Sequence, residues 1–339
     1  MHLNNTAPKR GRNREITMKR LLGFVAGCAI ALSTPVLAQE KATLRLNWLI
    51  YGFHTPFYLG IERGYYKAEG IDLEVGEGQG SGRAVQIIAA KGDTFGLSDG
   101  SSIINGATKG APIKAVMGIM NTTPFAIIAR ADSGIKSMKD FEGKTIAATT
   151  GEAGLTILPA LLKNAKLDPA KINFLRVDGP TKMVSVLEKR AEALLGGSEN
   201  QPFILEQKGV QSVVFNYADY GTNTMGLAIH VHADTLKEKP KLVEGFIRAT
   251  QKAYADAEKD PAAAIAAGVK VKPDMDKDMA LKQLNAGLKL VRSKAAPTAA
   301  IGFMPAADWQ MTLDLMKEFQ ELKTDMPASA FFTNDLLPK

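Results

Sequence analysis

Residues Asn47 to Val75 read NWLIYGFHTPFYLGIERGYYKAEGIDLEV, and their reading decides the fold. A strand ends near Trp48, and Trp48, Tyr51 and His54 sit in the loop after it. Thr55-Pro56 starts a helix, because Thr is a good N-cap and Pro suits the first helical position. Gly64 or Gly70 closes that helical segment. Ile71, Leu73 and Val75 then alternate as a half-buried strand would. A loop that leaves a strand and enters a helix sets side chains and free backbone N–H groups over one sheet edge. Open α/β proteins bind ligands there.

The same rhythm continues outward in both directions. Strand TLRLNW (43–48) leads into the stretch, and the turn-rich GEGQGSG (76–82) leaves it. A helix over 83–90 and a short strand at 95–97 lead to Ser98-Asp99-Gly100-Ser101-Ser102 and a helix to Lys109. Further strands lie at 113–119 and 125–129. A second unit begins after Arg130. It has strands at 144–148, 171–177, 194–195 and 213–215 with helices between them. Pro159 is expected to kink one of those helices or shift its start. Residues 225–231 return as a strand to the first unit, and amphipathic helices at 242–258 and 306–322 end the chain. Strands alternating with helices predict an α/β fold in two lobes. The outer lobe takes 39–130 plus 225–339 and the inserted lobe 131–224. Crossings near Ala129–Asp132 and Thr222–Gly226 predict a hinge with a cleft below it.

The chain has 339 residues, 45% hydrophobic and 23% charged, an ordinary globular balance with room for about two domains. Residues 1–38 read as a secretory leader: a basic start, an apolar run from Leu21 to Ala31, and small residues ending at Ala38. Met18-Lys19-Arg20 resembles a natural start. The formal charge of +7 lies mostly in this leader, which carries six basic residues and one acid; without it the balance is +2. That excludes an electrostatic case for nucleic acid. The single cysteine, Cys28, lies in the leader, so the mature chain has no disulfide, thiol nucleophile or cysteine metal site. Val25-Ala26-Gly27-Cys28 also matches a lipid-anchor box, but the apolar run continues past it. Soluble periplasmic export is the expectation.

Several phrases carry a family resemblance. They are Gly64-Tyr65-Tyr66 through Glu69-Gly70-Ile71, Gly80-Ser81-Gly82 with Gln86, Gly96 to Asp99, and the tail Phe332-Thr333-Asn334-Asp335-Leu336-Leu337-Pro338. Over residues 41–338 the chain resembles periplasmic substrate-binding proteins of ABC importers. The branch is the one that includes thiamine-pyrimidine precursor, sulfonate, taurine and nitrate binders. The resemblance implies a type II two-lobed binding protein and a permease partner in the inner membrane. Trp48 and His54 keep the six-residue spacing of the thiamine-pyrimidine side. Leu49-Ile50-Tyr51-Gly52-Phe53 replaces its usual Thr-Pro-Asn-type stretch. A related eukaryotic group makes the pyrimidine on this fold with a cysteine-rich iron motif that the mature chain lacks.

The candidate ligand residues all lie in loops that come after strands. Trp48 and Tyr51 either stack on a planar ring or end a core strand. His54 either meets the ligand or caps the helix. GEGQGSG lacks the Gly-Lys-Ser/Thr ending of a phosphate loop. Ser81 and Gly82 either donate backbone N–H groups or form a plain turn. Asp99 is a helix cap or a ligand acceptor, with Gly100 and Ser101 beside it. Thr150, Gly151 and Glu152 form the matching edge of the inserted lobe. Glu152 either pairs with an aminopyrimidine or serves the helix dipole. Glu199 and Asn200 come after another short strand, and Tyr217 and Asn223 lie near the return crossing. His230 and His232 alternate on one strand without a third ligand, so no metal is expected, and no cofactor. The expectation is a monomer that binds a small planar ligand and does no chemistry, with a thiamine pyrimidine precursor as the leading ligand. The alternatives are a small organic anion (sulfonate, taurine, nitrate or aromatic carboxylate) and a biosynthetic enzyme on the same fold.

Overall fold

The opening stretch folds as a parallel strand pair joined through helices: β1 (Glu40–Arg45), α1 (Thr55–Glu62), α2 (Tyr65–Ala68) and β2 (Ile71–Gly76). A computed structural model describes residues 39–150 and 152–338; residues 1–38, on which the expected leader and Cys28 fall, and Gly151 and Lys339 lie outside the described residues. The chain continues through α3 (Ser81–Ala89), β3 (Phe95–Asp99), α4 (Gly100–Thr108), β4 (Ile113–Gly118) and β5 (Phe125–Arg130). Then come β6 (Thr145–Thr149), α5 (Ala153–Asn164), β7 (Asn173–Val177), α6 (Gly179–Leu187), β8 (Ala193–Gly197), α7 (Gln201–Gln207) and β9 (Ser212–Asn216). The last part is β10 (Leu227–His232), α8 (Ala233–Glu238), α9 (Pro240–Lys259), α10 (Pro261–Val271), α11 (Lys277–Leu288) and α12 (Ala306–Phe319). No described helix is long and apolar enough to cross a membrane.

Two five-stranded sheets form, in the orders β2-β1-β3-β10-β4 and β7-β6-β8-β5-β9. They share one plan. In each, the fourth strand runs antiparallel to its neighbours and has just arrived from the other sheet. β5 therefore belongs to the second sheet. The first crossing falls at 119–124, not at Ala129–Asp132, and the inserted lobe starts earlier than the sequence suggested. Ile127 and Ile128 are both fully buried on opposite faces of β5, Ile127 in the cluster with Phe215 and Tyr217 and Ile128 in the cluster with Val186 and Leu205, while β8 and β9 pair its two edges. The return crossing runs through 217–226.

β10 is buried along its whole length, which accounts for both histidines. His230 Nδ1 lies 2.7 Å from the Gly96 carbonyl, and burial lowers its pKa to about 3. His232 accepts from the Asp234 backbone N–H and caps α8. In the outer lobe Phe95 stacks on Phe246 at 3.9 Å, and Phe53 and Phe57 meet Tyr254 edge to face. Pro159 neither starts nor ends α5 but sits inside it. α12 packs on both α4 and α5, so its buried Trp309, Leu313 and Met316 join the apolar cores of the two lobes.

The two crossings are pinned to each other. Ile119 and Met120 N–H both donate to the Leu227 carbonyl, at 2.7 and 2.9 Å. Thr123 N–H donates to Asn223 Oδ1 at 2.9 Å. A Cβ added at Gly226 would stand 2.7 Å from the carbonyl oxygens of Met120 and Thr122, so only glycine allows this approach. Gly226→Ala should lower unfolding stability by about 1–3 kcal/mol, the usual effect of overpacking. Urea denaturation measures it, and an unchanged midpoint would mean that the crossings part without cost.

Candidate functional site

Parallel strands that end at one sheet edge send their helices off with N-termini toward that edge. Here α3 and α4 of the outer lobe begin opposite α5 and α7 of the inserted lobe, around a cavity of about 160 Å³. Asn47, Trp48, Tyr51, Gly80, Ser81 and Asp99 form the outer wall. Phe125, Thr149, Thr150, Glu152, Lys182, Glu199, Asn200 and Tyr217 form much of the inserted wall.

Four aromatic residues line this space, two from each lobe. The benzo edge of Trp48 faces Gly179 at the start of α6, where an added Cβ would come within 3.2 Å of it. The Trp48 indole pairs with no other aromatic ring among the described residues. Tyr51 crosses the cleft and donates its hydroxyl to Glu199 Oε1 at 3.0 Å. Phe125 and Tyr217 meet edge to face at 6.0 Å. Tyr217 is fixed by a 3.1 Å hydrogen bond from its hydroxyl to the Gly154 carbonyl.

The ionisable lining is acidic. Asp99 Oδ1 accepts from the Ser102 N–H at 2.9 Å and from Ser101 Oγ at 2.5 Å, which makes Asp99 the N-cap of α4. Its Oδ2 is buried with no partner among the described residues, and so are Glu199 Oε2 and Thr149 Oγ1. Buried polar atoms are normally paired, so three such atoms around one cavity call for a ligand or ordered water. Glu152 is better satisfied. Oε1 accepts from the Thr149 N–H at 3.0 Å, and Oε2 takes the Lys182 ammonium. Burial pushes the Glu152 carboxyl up, and the charge of Lys182 opposes that. Burial pushes Glu199 from the usual 4.5 up to about 7, against hydrogen bonds from its own backbone N–H and from Tyr51. Tyr51 is itself pushed well up by burial and by the nearby Glu199 charge.

The structure brings Trp48, Tyr51, Ser81, Asp99, Thr150, Glu152, Glu199 and Asn200 to the cavity. Four expected residues are absent from its lining. His54 lies behind the wall, with Nε2 3.0 Å from Asn47 Oδ1 and its ring edge against Tyr51. It also makes no side-chain cap, and Thr55 is the first helical residue, not the cap. Burial holds the His54 imidazole near pKa 3 and hence neutral. Gly82 is the second residue of α3, Ser101 serves Asp99, and Asn223 ties the crossings. Gly151 lies outside the described residues. Phe125 and Lys182 were not foreseen. Phe125 stood in a run assigned to the other sheet. Lys182 lies mid-helix, where a lysine is normally solvated, yet its side chain is only 5% exposed.

Residues 52–264 match the pattern of the family described as NMT1/THI5 like. The chain belongs to the NMT1/THI5-like family. Among relatives, the riboflavin-binding protein RibY of Chloroflexus aurantiacus is 25% identical over 307 residues, 88% of this chain and 86% of that one. The formylaminopyrimidine-binding protein of Halalkalibacterium halodurans is 24% identical over 233 residues, 68% of this chain and 70% of its own. A protein of Legionella pneumophila named 4-amino-5-hydroxymethyl-2-methylpyrimidine phosphate synthase is 25% identical over 240 residues, covering 70% of this chain and 75% of that protein. The expectation that the chain does no chemistry is corrected by this last relative. The NMT1/THI5-like family holds proteins named as synthases beside proteins named as binders, so membership does not exclude catalysis.

Solved structures agree on the fold. The alkanesulfonate-binding protein SsuA of Xanthomonas axonopodis pv. citri, bound to MOPS, superposes with a TM-score of 0.69 at 15% identity, covering 87% of this chain and 99% of that one. The periplasmic nitrate-binding protein NrtA of Synechocystis PCC 6803 gives 0.64 at 15% identity over 88% and 87%. The fold of this NMT1/THI5-like chain is that of two-lobed periplasmic binding proteins.

Glu199 yields a pH prediction. Its carboxyl holds a proton in the folded chain up to about pH 7 and in the unfolded chain only to about 4.5. The folded state thus binds more protons in that window, and the stability from this group falls as pH rises through it. The full effect is about 3 kcal/mol. Glu199→Gln should therefore be more stable than the parent above pH 7, with the difference closing toward pH 5. Urea titrations at pH 5, 6, 7 and 8 read the gap. A gap independent of pH would mean that Glu199 does not change protonation on folding.

Proposed function

We propose that this chain is an exported solute-binding protein. It encloses a small planar nitrogen heterocycle between its lobes and passes it to an ABC permease. The leading ligand is a pyrimidine precursor of thiamine, carrying amino and hydroxymethyl or aminomethyl groups. Trp48, Tyr51, Phe125 and Tyr217 supply apolar ring surface from both walls. Asp99, Thr149 and Glu199 supply polar atoms without partners. A ring with amino donors on its edge meets both needs.

The observation that carries this reading is the charge of the lining. Asp99, Glu152 and, above about pH 7, Glu199 stand against one cation, Lys182, which is already paired with Glu152. The acids at these helix N-termini occupy the positions an anion would take. Sulfonate or nitrate would enter an already acidic space. Arg83, the basic residue nearest the start of α3, is exposed and bonded to Gln86. The cavity volume of about 160 Å³ favours one ring over several. Two of the relatives are named for substituted pyrimidines and a third for a flavin, all nitrogen heterocycles. A ring stack and several hydrogen bonds in a mostly dry cleft give an affinity of about micromolar or tighter.

A thermal-shift panel tests the proposal, with pyrimidine precursors, thiamine, riboflavin, taurine, other sulfonates and nitrate. A true ligand at hundredfold excess over Kd should raise Tm by on the order of 5 °C. We expect this with 4-amino-5-hydroxymethyl-2-methylpyrimidine, and at least a tenfold weaker affinity in Trp48→Ala. Shifts confined to the anions would overturn the reading. Mass spectrometry of the recovered ligand separates capture from conversion.

A further inference from the structure

Gln283 lies on α11, outside the cavity lining, and is only 2% exposed. Its side-chain carbonyl accepts from the Gly52 N–H at 3.0 Å, and its Nε2 donates to Asn200 Oδ1 at 2.8 Å. A backbone N–H can only donate, so the carbonyl end must face Gly52 and the amide NH₂ must face Asn200. Gly52 is next to Tyr51 in the chain, and Asn200 is next to Glu199. Tyr51 and Glu199 are themselves hydrogen-bonded across the cleft at 3.0 Å. These contacts close a ring: Tyr51–Gly52 on the outer lobe, Gln283, then Asn200–Glu199 on the inserted lobe, and back to Tyr51.

We propose that Gln283 is a positioning residue that couples the ligand-contacting loop to closure of the two lobes. The proposal rests on the solute-binding reading above and extends it to how closure is held. The Gly52–Gln283 bond stays within the outer lobe and survives opening. It holds the Gln283 amide with its donor toward the inserted lobe. Close packing supports it, since a Cβ at Gly52 would lie 1.9 Å from the Ala280 carbonyl oxygen on α11. Loop 47–54 and α11 therefore move together. The Gln283–Asn200 and Tyr51–Glu199 bonds are buried bonds that opening must break. Lys282–Glu206 at 2.8 Å and Gln207–Asp276 at 2.7 Å also join α11 to α7, but they are exposed and contribute little. Asn200 and Glu199 line the cavity, so the peptide that contacts a ligand is also the peptide that latches the lobes.

The test measures the distance between spin labels on the full chain, with Cys28→Ser removing the native thiol. Lys67→Cys reports the outer lobe and Lys139→Cys the inserted lobe; both sites are exposed. Without ligand, we expect mainly the short distance. Gln283→Met, which keeps the shape and loses the amide, should move at least half of the population to a longer distance. Asn200→Leu should do the same from the other lobe, which covers the case where Gln283→Met fails to fold. Asn200→Asp keeps an acceptor for Nε2 and should keep the short distance. With 4-amino-5-hydroxymethyl-2-methylpyrimidine as probe, Gln283→Met should raise the dissociation rate about tenfold and change association less. A folded Gln283→Met or Asn200→Leu protein with an unaltered distance distribution would sink the proposal. If the distances shift as expected but no pyrimidine binds the parent protein, the coupling stands and the ligand assignment fails.

Discussion

The structure depends on a strand exchange. The chain passes twice between two sheets, and each time the arriving strand inserts antiparallel as the fourth member of its new sheet. A buried crossing has no water to satisfy its backbone, so its N–H and C=O groups must find partners locally. The two crossings find them in each other and in the strands they leave. Met225 N–H, for example, is taken by Thr312 Oγ1 of α12 at 2.7 Å. With both sheets anchored at one line, their parallel strands end facing a common space. The cleft results from that topology before any side chain is chosen.

Side chains then decide what the cleft can hold. Four helix N-termini pointing at one cavity would make it attractive to anions. This chain fills those positions with its own carboxylates: Asp99 caps α4, Glu152 precedes α5 and Glu199 lies just before α7. For Glu152 and Glu199 burial outweighs the contacts that favour the charge, as their raised pKa values record. The outcome is a cavity whose polar groups accept hydrogen bonds and whose apolar surface is aromatic.

The loops around the cleft were legible because strand-to-helix junctions have a local signature. Trp48, Asp99, Glu152 and Glu199 each stand at such a junction, and each lines the cavity. Strand membership was less legible. FAIIAR is apolar enough for a central strand of either sheet, and only tertiary pairing chose the second. His54 misled because a histidine in a binding loop suggests contact, whereas here it buttresses Asn47 and Tyr51 from behind. Lys182 and Gln283 carried no signal at all. Both are polar residues on amphipathic helices, and nothing in local spacing marks a polar position that the fold will bury.

α11 shows what local reading omits. Its apolar side, Ala280, Leu284 and Gly287, has helical spacing, and Asp276 caps its start through the Met279 N–H at 2.8 Å. The helix could have been found from these positions. Its importance could not, because it comes from contacts more than 200 residues away along the chain, at Gly52. A buried glutamine is costly unless both ends of its amide are paired. Here both are, one to each lobe. The same pairing that makes Gln283 tolerable in the interior ties the loop bearing Tyr51 to the loop bearing Glu199. One amide group thus bridges the two loops, and a change at this helix can reach the cavity without touching its wall.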